Sequence, residues 1–108
     1  MTAEPGDTHQ NPTELPSGVE LTRTTPVFSE NTVPAGLLAA HQVAANVWGR
    51  LVVQTGELAF TFEDEPDRNY MVRSGETLVI PPQRPHHLTI GAPTTFAVEF
   101  YKAPPTPT

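Results

Sequence analysis

Two adjacent histidines, in the stretch "GETLVIPPQRPHHLTI" (residues 75–90), offer the clearest chemistry in this chain. Imidazole binds metals, relays protons and forms hydrogen bonds near neutral pH. Because successive side chains of a strand point to opposite faces, only one of the two histidines can face a core. His86 shares its parity with Leu88 and Ile90, which favour burial. We therefore predict that His86 points inward and that His87 faces solvent.

One acidic residue interrupts an apolar run near the C-terminus. Glu99 stands in the middle of "TTFAVEFYK", where burial of an ionised carboxylate is costly unless it is paired or bound to a cation. If its face of the strand is the interior, Glu99 meets His86, and the two contribute to an open metal site. If its face is the exterior, Glu99 is a salt-bridge partner of Arg50 or Arg84.

Length and charge bound the class of protein. The chain has 108 residues, a net charge of −6 and only 6 Lys and Arg residues. We therefore expect a small domain that binds neither nucleic acid nor a membrane, since both partners need clustered positive charge. The absence of cysteine excludes disulfides and thiolate ligands. Because neither a membrane-spanning run nor a signal peptide is visible, we expect a soluble, cytoplasmic protein.

Turn residues divide the chain into many short strands. It contains 13 prolines and 7 glycines, and alternating apolar runs recur about every 8–12 residues, which predicts an all-β sandwich or barrel. We expect one domain at residues 19–103. Residues 1–18 and 104–108 hold few large apolar side chains, so we expect disordered tails there. The stretch "GLLAAHQVAA", residues 36–45, is either a short helix or a strand.

The stretch "NVWGRLVVQTGELAFTF", residues 46–62, predicts a β-hairpin. From the alternation we expect Leu51 and Phe60 to face the core, and Arg50 and Thr61 to face away from it. The expected turns lie at Thr55-Gly56, at the charged loop of residues 63–69, at Ser74-Gly75 and at residues 91–93.

The stretch that carries the histidine pair resembles the second sequence motif of the cupin family. Gly75, Pro81 and His86 recur at the offsets of that motif. Gln83 replaces its usual corner glycine, and no asparagine follows the histidine. The resemblance implies a single-domain cupin-type sandwich or barrel, also called a double-stranded β-helix, with His86 in the lumen.

The first cupin motif lacks its usual metal ligands. Counted back from the turn at Gly56, the positions of its two histidines and one glutamate fall on Ala44, Ala45 and Gly49. None of these residues has a side chain that can bind a metal.

A narrower group is similar over most of the expected domain. It comprises small cupin-like domains of unknown function that occur alone or at the N-terminus of tellurite-resistance methyltransferases. That group shows a histidine, a tryptophan seven residues later and a turn glycine eight residues after that, which here are His41, Trp48 and Gly56. A proline corner before a histidine also recurs near His86, with Pro85 in place of the usual tryptophan.

The residues and the resemblance together leave two functions open. In the first, the barrel binds a small molecule and one divalent ion (Fe, Mn, Ni or Zn), which acts as a Lewis acid or redox centre. The expected metal ligands are His41, His86 and Glu99, and the expected pocket residues are Trp48, His87 and Tyr101. In the second, a metal-free binding or sensing module hydrogen-bonds a polar molecule or oxyanion through His86 and Glu99. A purely structural protein with a filled barrel would show no pocket beside His86.

The resemblance also implies a biological setting. Fusion to tellurite-resistance enzymes associates such domains with the response to tellurite, other oxyanions or oxidative stress. The sequence assigns no reaction class, because function depends on the site and not on the fold. Since a small core leaves apolar surface to cover, we expect a homodimer formed through an edge strand or the N-terminal strand.

Overall fold

The computed structural model describes residues 12–39 and 42–103. His41 and most of the two predicted tails therefore lie outside the described residues. The strands are β1 (Glu20–Thr24), β2 (Phe28–Ser29), β3 (Val47–Thr55), β4 (Glu57–Phe62), β5 (Tyr70–Arg73), β6 (Thr77–Ile80), β7 (His86–Thr89) and β8 (Thr95–Lys102). A single turn of 3₁₀ helix, Ala35–Leu38, lies between β2 and β3. In this part of the chain, no helix is both long enough and apolar enough to cross a membrane.

The strands form two antiparallel sheets, which confirms the predicted all-β fold. The larger sheet has the strand order β1-β8-β3-β6, with β2 also pairing with β8, and the smaller sheet has the order β5-β4-β7. One face of each sheet contributes to a shared apolar core. β8 is the most connected strand of the larger sheet, since it pairs with β1, β2 and β3.

The prediction that β3 and β4 form a β-hairpin is wrong. The two strands belong to different sheets, so the chain crosses from one sheet to the other at Gly56. Ser74-Gly75 and residues 91–93 also connect strands of opposite sheets. The charged loop at residues 63–69, by contrast, closes a true hairpin of β4 and β5. A local alternation gives the direction of side chains but not the hydrogen-bond partner, and so it fits a corner as well as a hairpin.

The alternation places the expected side chains in the core. Leu51 is 1% exposed and Phe60 is 0% exposed, as predicted. Arg50 lies on the outer face of the larger sheet, paired with a glutamate. Thr61 was expected to face solvent, and that expectation is wrong because it is buried. Its hydroxyl donates a hydrogen bond to the side-chain oxygen of Asn69, which comes from the β4–β5 loop.

The segment before β1 contacts the edge of the larger sheet. The carbonyl oxygen of Pro12 accepts a hydrogen bond of 2.7 Å from the backbone N–H of Val79, and β6 is the outermost strand on that side. Part of the predicted N-terminal tail therefore satisfies a backbone donor on an edge strand. Such donors otherwise pair with water or with another chain.

Candidate functional site: an apolar cleft beside His86

A cleft of about 250 Å³ lies between the 3₁₀ helix and the inner faces of the two sheets. Phe28 and Leu37 line it from the segment before β3, and Val98 and Phe100 line it from β8. His86 supplies the imidazole in its wall. A concave, mainly apolar cavity with a few polar groups is the usual form of a small-molecule site.

His86 points inward, where parity placed it, and it is 3% exposed. Its ring stacks on Phe60 with the centroids 4.9 Å apart, and it lies edge-on to Phe62. Its Nδ1 is 2.9 Å from the carbonyl oxygen of Arg84. Because a carbonyl oxygen only accepts, Nδ1 carries the proton and the lone pair of the neutral ring is on Nε2. The packing and this hydrogen bond together fix one ring orientation and one tautomer.

The corner that leads into His86 is held by Arg84. The Arg84 guanidinium forms ion pairs with Asp64 and Glu65 at 2.9 and 3.2 Å and lies over the Phe62 ring, 3.7 Å from its centroid. The hydrogen bond from Arg84 lowers the pKa of the Asp64 carboxyl. These contacts tie the corner to the β4–β5 loop, so they position the carbonyl group to which His86 donates.

Gln83, which stands where the cupin motif usually has a glycine, has a left-handed backbone conformation. Its φ is 59°, a left-handed conformation that costs a non-glycine residue about 1–2 kcal/mol. Its backbone N–H donates a 2.8 Å hydrogen bond to the carbonyl oxygen of Val43, which lines the cleft. The corner is therefore kept, and it joins the cleft wall to the strand that carries His86.

His87 faces the outside of the smaller sheet. Its Nδ1 is 2.5 Å from a carboxylate oxygen of Glu63, and its side chain is 31% exposed. Neighbouring residues of β7 point to opposite faces, so the structure does not bring His87 to the cleft.

Glu99 lies on the outer face of the larger sheet. Val98 and Phe100, on either side of it, line the cleft, so strand alternation turns Glu99 to the other face. Its carboxylate is 2.7 Å from Nη2 of Arg50 and accepts a 2.7 Å hydrogen bond from the Tyr101 hydroxyl. Of the alternatives that the sequence left open, the structure selects the pair with Arg50.

The structure does not bring the predicted metal ligands together. Glu99 and His86 lie on opposite faces of different sheets, whereas two ligands of one transition-metal ion lie about 2.0–2.3 Å from it. Across residues 12–39 and 42–103, no three His, Asp or Glu side chains form a group that fits a metal ion. His41 lies outside the described residues. His86 therefore offers one oriented nitrogen donor, and a metal centre needs three or four protein ligands.

Trp48 and Tyr101 also lie on the outer face, where they are cross-strand neighbours in β3 and β8. The Arg50 guanidinium carbon is 5.6 Å from the centroid of the Tyr101 ring. These residues and Glu99 form a polar and aromatic cluster that braces two adjacent strands. The structure thus gives Trp48 and Tyr101 positions away from the cleft.

The Tyr101 phenol should report on its carboxylate neighbour. Its pKa lies above the ordinary value, first because of desolvation and then because of the hydrogen bond and the charge of Glu99. We expect Glu99→Gln to lower this pKa, which the carbon-13 chemical shift of the phenol carbon would measure by NMR. The matched control is Glu65→Gln, since Glu65 accepts a hydrogen bond from Tyr70 instead. An unchanged Tyr101 pKa in Glu99→Gln would contradict the expectation.

The raised pKa also sets a direction for stability at high pH. The folded state holds the phenol proton more tightly than the unfolded state does. The resulting contribution of Tyr101 to the free energy of unfolding is therefore fully present below the ordinary pKa of tyrosine. It is lost as the pH rises through the raised value, above about pH 10.

No sequence pattern predicts that Phe28, Leu37 and Val43 form walls of the cleft. They stand alone or in apolar pairs among prolines, glycines and small or polar residues, so no strand or helix period marks them. The signal available was their size, because large apolar side chains in an irregular segment must usually pack on something.

Comparison with known proteins gives one family and several structural relatives. Residues 23–98 match the sequence profile of the TehB-like domain. The uncharacterized protein YeaR of Escherichia coli (strain K12) is 29% identical over 100 residues, which are 84% of this chain and 84% of YeaR. The crystal structure of a protein from E. coli (strain K12) superposes with a TM-score of 0.77 at 27% identity, over 86% of this chain and 99% of that one.

Two more distant structures show the fold. TehB from Haemophilus influenzae has a TM-score of 0.72 at 18% identity, over 81% of this chain and 32% of TehB. A cupin-2 domain protein from Shewanella frigidimarina has a TM-score of 0.54 at 19% identity, over 80% of this chain and 72% of that protein. The cupin-type fold expected from the histidine stretch is thus confirmed. Because the matching profile covers residues 23–98, this chain belongs to the TehB-like domain family.

Proposed function

We propose that this domain binds a small molecule in the cleft beside His86, as a binding or sensing module that needs no metal ion. The observation that carries the proposal is a buried histidine, fixed in one tautomer, in the wall of an apolar cleft of about 250 Å³. Among the described residues, no group of three His, Asp or Glu side chains that could hold a metal ion forms around it. A polar group of the ligand would meet the imidazole, while its apolar part would replace water along the walls.

The volume of the cleft limits the size of the ligand. An apolar cavity of about 150 Å³ holds a benzene molecule, so this cleft accommodates a substituted ring or a short branched chain. Fragments of that size contribute about 0.3 kcal/mol or more per non-hydrogen atom. At about 0.3–0.4 kcal/mol per atom, a ten-atom probe such as 3-phenylpropan-1-ol is therefore expected to bind with a dissociation constant of about 1–6 mM.

A metal-bound form is the second candidate, and one contact favours it. Histidines that ligate metals usually donate their other ring N–H to a carbonyl or carboxylate, as His86 does to Arg84. At least one of the remaining ligands, with His41 as the candidate, would then come from residues outside the described part of the chain. The resemblance to domains fused to tellurite-resistance methyltransferases supports placing either form in the response to oxyanion or oxidative stress.

Filling the cleft tests the proposal. Gly36 lines the cleft, and a β-carbon there would meet nothing within 4 Å. We expect Gly36→Phe to weaken binding of 3-phenylpropan-1-ol at least tenfold, since the added ring occupies ligand space. The measurement is a titration followed by amide NMR shifts, which should change at Val98 and Phe100 in the unsubstituted protein.

The matched control is Gly91→Phe. Gly91 has equally open surroundings but does not line the cleft, so this variant should bind the probe like the unsubstituted protein. Wild-type affinity in Gly36→Phe, with no shift at Val98, would contradict the proposal. Stoichiometric uptake of Fe²⁺, Mn²⁺, Ni²⁺ or Zn²⁺ that is lost in His86→Ala and kept in His87→Ala would favour the metal-bound form instead.

A further inference from the structure

A second cavity, open and about 530 Å³ in volume, adjoins the cleft. The two share Val43 and Phe100, which therefore form the boundary between them. Arg23 of β1 and Lys102 of β8 line the second cavity beyond that boundary. A molecule that leaves the apolar cleft past Phe100 thus enters a space lined by two cationic side chains.

These two cations differ from the others in the chain. The sequence has 6 Lys and Arg residues, and Arg50, Arg68, Arg73 and Arg84 all form ion pairs. Within residues 12–39 and 42–103, no carboxylate lies within 4.0 Å of the Arg23 or Lys102 charge. In a chain with a net charge of −6, two cations at one cavity that have no ion pair with any described residue give a local attraction for anions.

The position of Arg23 is set by Phe100. The guanidinium carbon lies 4.7 Å from the centroid of the Phe100 ring, and the two residues are cross-strand partners of β1 and β8. Stacking on a ring uses the face of a guanidinium and leaves its N–H edge for a carboxylate. Arg23 is therefore held against the residue that separates the two cavities.

Lys102 extends the charged wall along β8. It lies opposite Val47 of β3 and Glu20 of β1. Glu20 is its acidic cross-strand neighbour, and it reduces the local positive potential without forming an ion pair. Because Arg23 and Lys102 are both exposed to water, each is worth only a few-fold in affinity. If both cations contact one anionic group, their combined effect is large enough to measure as a higher affinity for an anionic ligand than for a neutral one.

We propose that the ligand is an amphipathic carboxylate, with its apolar group in the cleft beside His86 and its carboxylate at Arg23 and Lys102. This inference rests on the proposed function, since it uses the same cleft. It adds the chemical class of the ligand and a second binding region. A neutral molecule fills only the apolar cleft, whereas a carboxylate on a short chain also reaches the cations.

Three probes with one ring and one chain length separate these contributions. They are 4-phenylbutanoate, 4-phenylbutan-1-ol and 4-phenylbutylamine, titrated by calorimetry or amide NMR at about 20 mM and about 200 mM salt. We expect the carboxylate to bind about tenfold more tightly than the alcohol, and the amine to bind most weakly. The preference should shrink at the higher salt concentration, because exposed charges are screened.

Replacing the cations by neutral residues tests whether Arg23 and Lys102 cause the preference for the carboxylate. The double variant Arg23→Gln with Lys102→Gln is expected to reduce affinity for 4-phenylbutanoate about tenfold and to leave affinity for the alcohol unchanged. Arg68→Gln with Arg73→Gln is the matched control, since it removes the same charge from residues that line neither cavity. Loss of binding to the carboxylate in that control would assign the effect to net charge and overturn the inference.

The remaining outcomes separate the two proposals. Equal affinity for the carboxylate and the alcohol would overturn the ligand class and leave the cleft as a binding site. Binding of inorganic phosphate at about 5 mM, lost in the Arg23 and Lys102 double variant, would mean that the cations hold an inorganic oxyanion and would also overturn the amphipathic ligand. Failure of all three phenyl probes to bind would overturn both the ligand class and the proposed function.

Discussion

Replacing Gly56 by alanine is expected to lower the free energy of unfolding by about 3 kcal/mol or more. Gly56 turns the chain from the larger sheet to the smaller one with a φ of 75°, a conformation that disfavours any side chain. A β-carbon there would overlap the carbonyl oxygen of Pro93 and lie 2.9 Å from the α-carbon of Thr94. Both contacts are with backbone atoms, so no side-chain rotation relieves them.

Gly75→Ala is the control for the effect of conformation by itself. Gly75 has a φ of 84°, but a β-carbon there would meet nothing within 4 Å. Its substitution should cost only about 1–2 kcal/mol. Urea denaturation of both variants measures the difference. Equal losses of unfolding free energy in Gly56→Ala and Gly75→Ala would show that the close approach of residues 93–94 to Gly56 adds nothing to the effect of the substitution.

Phe60→Ala is expected to lower the free energy of unfolding by about 3–5 kcal/mol, the range for an aromatic side chain removed from a core. Phe60 is 0% exposed, packs edge-on against Phe62 and supports the ring of His86. The cavity left behind should also release the imidazole from its single orientation. We therefore expect weaker binding of 3-phenylpropan-1-ol in addition to the loss of stability.

Val52→Ala is the matched control for Phe60→Ala. Val52 lies on the outer face of the larger sheet, cross-strand from Ala97, and is half-buried. Its truncation is expected to cost about 1 kcal/mol or less. Chemical denaturation gives the stability of each variant, and the probe titration gives binding. A larger cost at Val52 than at Phe60 would reverse the assignment of the two faces.

Strand parity predicted the inward direction of His86, because a histidine in step with large apolar residues must share their face. Parity could not decide the face of Glu99. Along β8 both faces carry apolar residues, and Ala97 is 6% exposed even though it shares the outer face with Glu99. The salt bridge to Arg50 depends on the register between β3 and β8, which no local pattern contains.

The change of sheet at Gly56 and the burial of Thr61 could not be predicted from the sequence, for a related reason. Thr61 is covered by Asn69, the last residue of the charged β4–β5 loop, and loop side chains have no period from which a position can be read. β3 pairs with β6 and β8, and its partner residues in β8 lie at least 40 positions later in the sequence. Local alternation therefore indicated which residues of a strand share a face, whereas long-range pairing determined which residues form the cleft.

The central position of β8 has a consequence for synthesis of the protein. β1, β2 and β3 all pair with this last strand, so the larger sheet cannot close until residue 102 has left the ribosome. At about 5–20 residues per second, the roughly 80 residues between β1 and the end of β8 take about 4–16 s to translate. During that interval the early strands have unpaired edges, which are prone to mispairing. The backbone groups of β1, β2 and β3 that face β8 therefore have no native partner during that interval.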